Sequence, residues 1–338
     1  MATMPAARLV LKALRTRFVD ERPFVLSHLL TARCNADCAT CLWKMPADAR
    51  VSELDTAQVA RLYRDAADAG FRELVLWGGE PMVRLDVGPA LQAARAVGLE
   101  TTLITNGWWL AERAHEVLPH TGRLLVSIDA MGARHDTIRR CPGLFERLDR
   151  GLAAARAHYP RTRVVIITVL SRLSVDDLEA VAEYGAHLGV PVVFQAMNAT
   201  DYGFADRTIA TDELELDAAE WTRVAARLEA LRRRGLPVRD SSAYLRRLGD
   251  RASAYRCHYK KVVLRVEPNG HVLDCTRTAI PLANVRTTKL STLVGAPTYR
   301  DFIRRAEACN RCRDAGVIEA SHMWEGHPGA LWNALGTV

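Results

Sequence analysis

Apolar and polar positions along the chain repeat with two periods. Residues 24–32 form an apolar run of strand length. A helical pattern follows over about 53–69 and is closed by Gly70, where a glycine suits a helix C-terminus. Strand-like and helix-like segments then alternate. The predicted strands lie at 73–77, 100–105, 124–129, 164–170 and 190–195, and the predicted helices at about 84–97, 110–118, 145–158 and 175–188. Six strands in regular β–α alternation imply parallel strands with crossover helices. The pattern alone fits an open sheet or a partial barrel.

A further helix is predicted over roughly 217–234, ending at Gly235. Beyond it the β–α rhythm stops. Apolar stretches at 262–266 and 271–273 flank Pro268-Asn269-Gly270, and Asn-Gly between apolar runs signals a hairpin. At the other end, Ala7, Val10, Leu11, Leu14 and Phe18 share one helical face, with Arg8, Lys12 and Arg15 elsewhere around it. Such a helix packs on the protein body, or lies on an anionic membrane through residues 1–20. Four parts result: residues 1–23 as an amphipathic helix, 24–235 as the α/β core, 240–320 as a small cysteine-rich domain and 321–338 as a tail.

Composition changes this picture little. The chain has 338 residues, 49% hydrophobic and 25% charged, the proportions of a globular protein. No apolar stretch reaches the roughly 20 residues that span a bilayer, and no clean secretory signal precedes the core, so a cytoplasmic location is expected, with peripheral membrane contact through residues 1–20 as an option. The formal charge is +7. Its arginines are scattered on helix faces without interleaved aromatic residues, which argues against a nucleic-acid groove.

The eight cysteines change it greatly. In a cytoplasmic chain they point to metal rather than disulfides. Cys34, Cys38 and Cys41 lie together after the first strand. Three thiolates leave one metal position open, whereas a structural zinc site closes with four ligands.

This spacing resembles the signature of the radical S-adenosylmethionine (SAM) superfamily. The resemblance implies that Cys34, Cys38 and Cys41 ligate a [4Fe–4S] cluster whose fourth iron binds SAM. Reductive cleavage of SAM then yields a 5′-deoxyadenosyl radical that abstracts a hydrogen atom from substrate. It implies a partial (β/α)6 TIM-like barrel. Trp77-Gly78-Gly79-Glu80-Pro81 is similar to the family's Gly-Gly-Glu-Pro motif, where backbone and glutamate meet the SAM amino group; glycine lets the backbone approach a ligand. Asn106, Ser127 and Asp129, at the ends of the third and fourth strands, are implied contacts to the ribose and methionine ends of SAM. Arg139 is the implied partner of its carboxylate. Thr40 stands where the family often has an aromatic residue.

Cys257, Cys275, Cys309 and Cys312, with twelve residues between Cys257 and Gly270, resemble the SPASM domain in its shortened twitch form. They are the implied ligands of an auxiliary [4Fe–4S] cluster, and a four-cysteine zinc site is the other reading of the spacing. Cys141 is left over, as a loop thiol or a hydrogen-atom donor to a product radical. Tyr202 follows the sixth strand and is a candidate substrate contact. The expected function is hydrogen abstraction from a small metabolite or lipid precursor, leading to oxidation or carbon–carbon bond formation. An electron donor such as flavodoxin or ferredoxin would serve it. The alternatives are a maturase of a ribosomal peptide and a non-catalytic iron–sulfur or zinc protein.

Overall fold

All seven residues of β1 (Val25–Thr31) are buried, because neighbours cover both its edges and both its faces. In this computed structural model, which describes residues 22–41, 52–197, 211–250, 252–253, 255–273 and 280–336, β1 lies inside a nine-stranded sheet. β2 (Glu73–Gly78), β3 (Glu100–Thr105), β4 (Arg123–Ser127), β5 (Arg163–Leu170) and β6 (Val192–Ala196) follow, each parallel to the one before. Between them come α1 (Thr56–Asp68), α2 (Val87–Ala96), α3 (Leu110–Val117), α4 (Gly132–Arg139), α5 (Leu144–His158) and α6 (Leu178–Leu188).

The spatial order of these six strands is their chain order. A doubly wound sheet reverses direction at a switch point, so that helices cover both faces. No reversal occurs here, so right-handed crossovers put every helix on one face. That is the winding of a partial (β/α)6 barrel. Leu74 and Leu76 of β2, both 0% exposed, join the core with Leu62, Leu91 and Val117 of the helices. Val75 and Trp77, on the opposite face, are half-buried. There the Trp77 indole N–H donates to Ser27 Oγ at 2.8 Å and Arg123 pairs with Glu73 at 3.3 Å.

The segment after α7 (Ala218–Arg233) and α8 (Ser242–Gly249) extends the same sheet. β7 (Val263–Val266) pairs parallel with β1, and β8 (His271–Leu273) and β9 (Pro281–Asn284) continue antiparallel. The hairpin turns at Gly270, at φ +86°. Then come α9 (Pro297–Glu307), α10 (Ala315–Glu325) and α11 (Pro328–Gly336), so residues 321–325 and 328–336 are helical where the sequence reading placed a tail. Gln195, at the end of β6, donates to Asp314 at 3.2 Å, tying α10 to the far edge of the barrel. No helix among the described residues is long and apolar enough to cross a membrane. The helix expected within residues 1–20, Tyr202 and Cys275 lie outside the described residues.

Candidate cluster and cofactor site

The site is assembled where β1 to β4 end. Beyond Thr31 the chain turns into the cysteine loop, with Cys34 exposed, Cys38 buried and Cys41 between the two. Glu53 holds the base of this loop: its carboxylate accepts from the Thr31 hydroxyl at 2.5 Å and the Ala32 N–H at 3.2 Å, and pairs with Arg33 at 3.1 Å. From the other side, the Gly79 N–H donates to the Thr31 carbonyl at 2.8 Å and the Glu80 N–H to the Arg33 carbonyl at 2.9 Å. A Cβ on Gly79 would lie 2.3 Å from the Arg33 oxygen, and one on Gly78, at φ +150°, 2.4 Å from the Thr31 oxygen. The backbone of the cysteine loop thus needs both glycines, a reason that stands beside the approach to a ligand expected from the sequence.

Glu80 is only 1% exposed. Its carboxylate accepts from the Thr105 hydroxyl at 2.8 Å, the Met82 N–H at 3.0 Å and the Asn106 N–H at 2.7 Å. Burial pushes its pKa up, against the pull of those three donors. It thereby fixes Asn106, whose amide donates to Asn35 Oδ1 in the cysteine loop at 2.8 Å.

Asp129, also 1% exposed, accepts from the Val169 N–H at 2.9 Å and pairs with Arg139 Nε at 2.6 Å. Arg139 ends α4, and its Nη1 lies 3.9 Å from Cys38 Sγ. Burial opposes the guanidinium charge, but Asp129 and Cys38 outweigh it and raise the arginine pKa. Burial pushes the Cys38 thiol up, and Arg139 pulls it the other way. The Ala39 N–H donates to the Ile138 carbonyl at 2.9 Å, fastening the loop to α4. Ser127 ends β4 half-buried. Cys141 sits in the turn between α4 and α5, 6% exposed, and burial raises its thiol as well.

This donor set suits an iron–sulfur cluster. The Ala36 N–H donates to Cys34 Sγ at 3.4 Å and Arg139 faces Cys38, so amide and cation stand where ligating thiolates would carry charge. Among the described residues, the single histidine, cysteine or acidic group whose ligand atoms all lie within 4.8 Å of one another is elsewhere, at His322, Glu325 and His327. Cys34, Cys38 and Cys41 lie close enough for Cys38 and Cys41 to act on the Cys34 thiol. Sequence reasoning identified most of these side chains but missed Asn35 and Glu53. Asn35 lies inside the cysteine motif, which was the available signal; Glu53 precedes α1 and gave none.

The second cysteine set is brought together in part. Cys257 is buried, and Cys309 and Cys312 lie on the loop between α9 and α10. Burial raises the Tyr255 pKa, and Cys257 and Cys312 add to the effect, which places that phenol beside both. Arg247, 3% exposed, stacks 5.4 Å over the Tyr255 ring and donates to the Asn310 carbonyl.

Comparison with known proteins gives this arrangement its family. A model of the radical SAM superfamily matches residues 29–185, and a model of an iron–sulfur cluster-binding domain, SPASM, matches residues 257–313. The chain is 30% identical to a PqqA peptide cyclase of Ruegeria pomeroyi over 259 residues, 75% of this chain and 67% of that one. It is 33% identical to an AdoMet-dependent heme synthase of Methanosarcina barkeri over 175 residues, 51% of this chain and about half of the relative's own length, at 49%. SuiB of Streptococcus suis, solved with S-adenosylmethionine bound, shares the fold with a TM-score of 0.65 at 16% identity, over 84% of this chain and 68% of that one. The chain belongs to the radical SAM superfamily. It is a radical SAM enzyme, with a [4Fe–4S] cluster and SAM as cofactors and an auxiliary iron–sulfur cluster in its SPASM-type segment.

Proposed function

We propose that this enzyme modifies a ribosomally made peptide, abstracting a hydrogen atom from one residue and leaving the peptide oxidised or cross-linked. The observation that carries the reading is the similarity to a PqqA peptide cyclase over three quarters of the chain. When bound, the cluster and SAM supply the one-electron chemistry of hydrogen abstraction. Cys34, Cys38 and Cys41 would hold that cluster. Gly78, Gly79, Glu80, Asn106, Ser127, Asp129 and Arg139 would hold SAM, Glu80 also accepting from the Asn106 N–H. Cys257, Cys275, Cys309 and Cys312 would hold the auxiliary cluster. The inner face around buried Ser27 and half-buried Trp77 would receive the peptide side chain and shield it from water. An electron donor such as flavodoxin or ferredoxin would feed the first cluster.

A second reading, hydrogen abstraction from a small metabolite or lipid precursor, has the support of the heme synthase similarity over half of the chain. One experiment separates the two. Anaerobically reconstituted, reduced enzyme is mixed with SAM and either peptides encoded beside its gene or a tetrapyrrole. Peptide-stimulated 5′-deoxyadenosine, with a peptide that has lost two hydrogens, is expected. Stimulation by the tetrapyrrole alone overturns the peptide reading.

A further inference from the structure

Outside both cysteine sets, the C-terminal end of α10 gathers a different donor group. His322 and Glu325 lie one helical turn apart on α10. Gly326, at φ +83°, then reverses the chain and brings His327 back over the same spot. The three residues each present a ligand atom within 4.8 Å of the others. His322 Nδ1 is 3.6 Å and His327 Nε2 3.8 Å from the same oxygen, Glu325 Oε2. The two imidazole rings lie 4.6 Å apart at 73°.

Two features separate this group from a chance surface cluster. First, His322 is 3% exposed and neither of its ring nitrogens has a hydrogen-bond partner. A buried imidazole left unmatched costs free energy, and both idle nitrogens belong to the residue deepest in the group. Second, the carboxylate is oriented from behind. His258 Nε2 meets Glu325 Oε1 at 3.2 Å, and His258 Nδ1 faces Glu307 Oε1 at 3.3 Å. Oε2 is thereby left toward His322 and His327. An outer group that holds a carboxylate by its second oxygen is the usual support of a metal ligand.

We propose that His322, Glu325 and His327 form a mononuclear site for a divalent borderline cation of the zinc class. Two imidazoles and one carboxylate around a tetrahedral ion at about 2.0–2.1 Å place ligand atoms about 3.3 Å apart, so the separations from Glu325 need only tighten by a few tenths of an ångström. A fourth position stays open to water. The ion fastens the α10–α11 turn to the segment carrying Cys257, since His258 is that cysteine's chain neighbour and Tyr255 packs edge-on against His322 at 6.1 Å. It therefore acts as a clasp on the auxiliary-cluster segment, distinct from the cluster ligands.

Holoenzyme carrying both clusters, purified without a histidine tag, tests this with zinc alone as the probe. Zinc and iron are counted after gel filtration, and zinc affinity is measured by competition with a chelating dye. Wild type should retain about one zinc in addition to about eight irons per chain. His327→Ala, at a half-exposed position that folding tolerates, should weaken zinc at least about tenfold with iron unchanged, and Glu325→Gln and His322→Ala should do the same. His258→Gln should weaken it less. Zinc X-ray absorption should show nitrogen and oxygen neighbours only. Equal zinc affinity in wild type and His327→Ala overturns the proposal. So does a sulfur shell around zinc, or iron lost in step with zinc in His322→Ala.

Discussion

A single methyl group at Gly79 decides whether the cysteine loop can sit on the barrel. In Gly79→Ala the new Cβ meets the Arg33 carbonyl at 2.3 Å, and a backbone oxygen cannot swing aside as a side chain does. Overpacking of this kind costs about 1–3 kcal/mol. The larger consequence is a displaced loop: iron at Cys34, Cys38 and Cys41 should be lost while the auxiliary iron remains, as read by iron content and visible absorbance. Iron content equal to wild type in Gly79→Ala would remove the glycine from the loop's support. Asp129 is the second test at this scale. Asp129→Asn leaves the Arg139 guanidinium buried without its counter-charge, at a cost of about 3–5 kcal/mol. The variant should melt at lower temperature and bind SAM more weakly, measured by thermal unfolding and equilibrium dialysis. Both residues were visible in the sequence as candidates. Their pairing was not, because α4 has to fold back across the end of β4 before the two side chains meet.

The sequence reads well where an element has one dry face and reads poorly where it does not. β3 falls at 100–105, as its pattern predicts, and α5 and α6 fall within a few residues of their predicted bounds. α4 was missed because it buries only His135 and Ile138, too little for a helical apolar period. It is nonetheless the element that delivers Arg139. On the β1–α1 interface, His28 is 0% exposed with Nδ1 bonded to the Tyr63 hydroxyl at 2.9 Å. Burial, aided by Arg84, lowers its pKa to about 3 from an ordinary 6.5. The unfolded chain therefore takes up a proton below pH 6.5 that the folded chain refuses. The stability involved is complete above pH 6.5 and is lost as pH falls from 6.5 toward 3, at up to about 1.4 kcal/mol per pH unit. His135, lowered to about 4 by burial, adds in the same direction. His28→Gln keeps a polar partner for Tyr63 without the titration, so its unfolding free energy should fall less steeply between pH 6.5 and 4. Parallel profiles for the two proteins would refute that account.

At the scale of the molecule, the auxiliary segment is not an appendage. The apolar patterns at 262–266 and 271–273 identified a hairpin, but nothing local in them specifies that β7 docks beside β1. That contact joins chain ends far apart in sequence, and its determinant is the unpaired edge that β1 would otherwise present. With β7 in place, Val25 faces Val263 and Leu26 faces Leu264 in register, and the strand leading to the first cluster is hydrogen-bonded on both sides. The edge would be long, apolar and aggregation-prone if bared. Loss of the auxiliary cluster and loss of the auxiliary segment should therefore have different outcomes. A double variant, Cys309→Ser with Cys312→Ser, removes cluster ligands but no strand. It should stay folded and lose about four irons per chain, while the three-cysteine loop keeps its own cluster and still supports SAM cleavage. Deletion of residues 240–338 exposes β1 and should give an aggregating chain that holds neither cluster, as measured by sedimentation and iron content. A soluble, SAM-cleaving deletion would show that β1 needs no neighbour on that side, and the sheet would then have to be regarded as two separable halves. The opposite result makes the second cysteine set part of the first cluster's foundation, because the strand that carries Cys34, Cys38 and Cys41 into place is completed by the segment that carries Cys257.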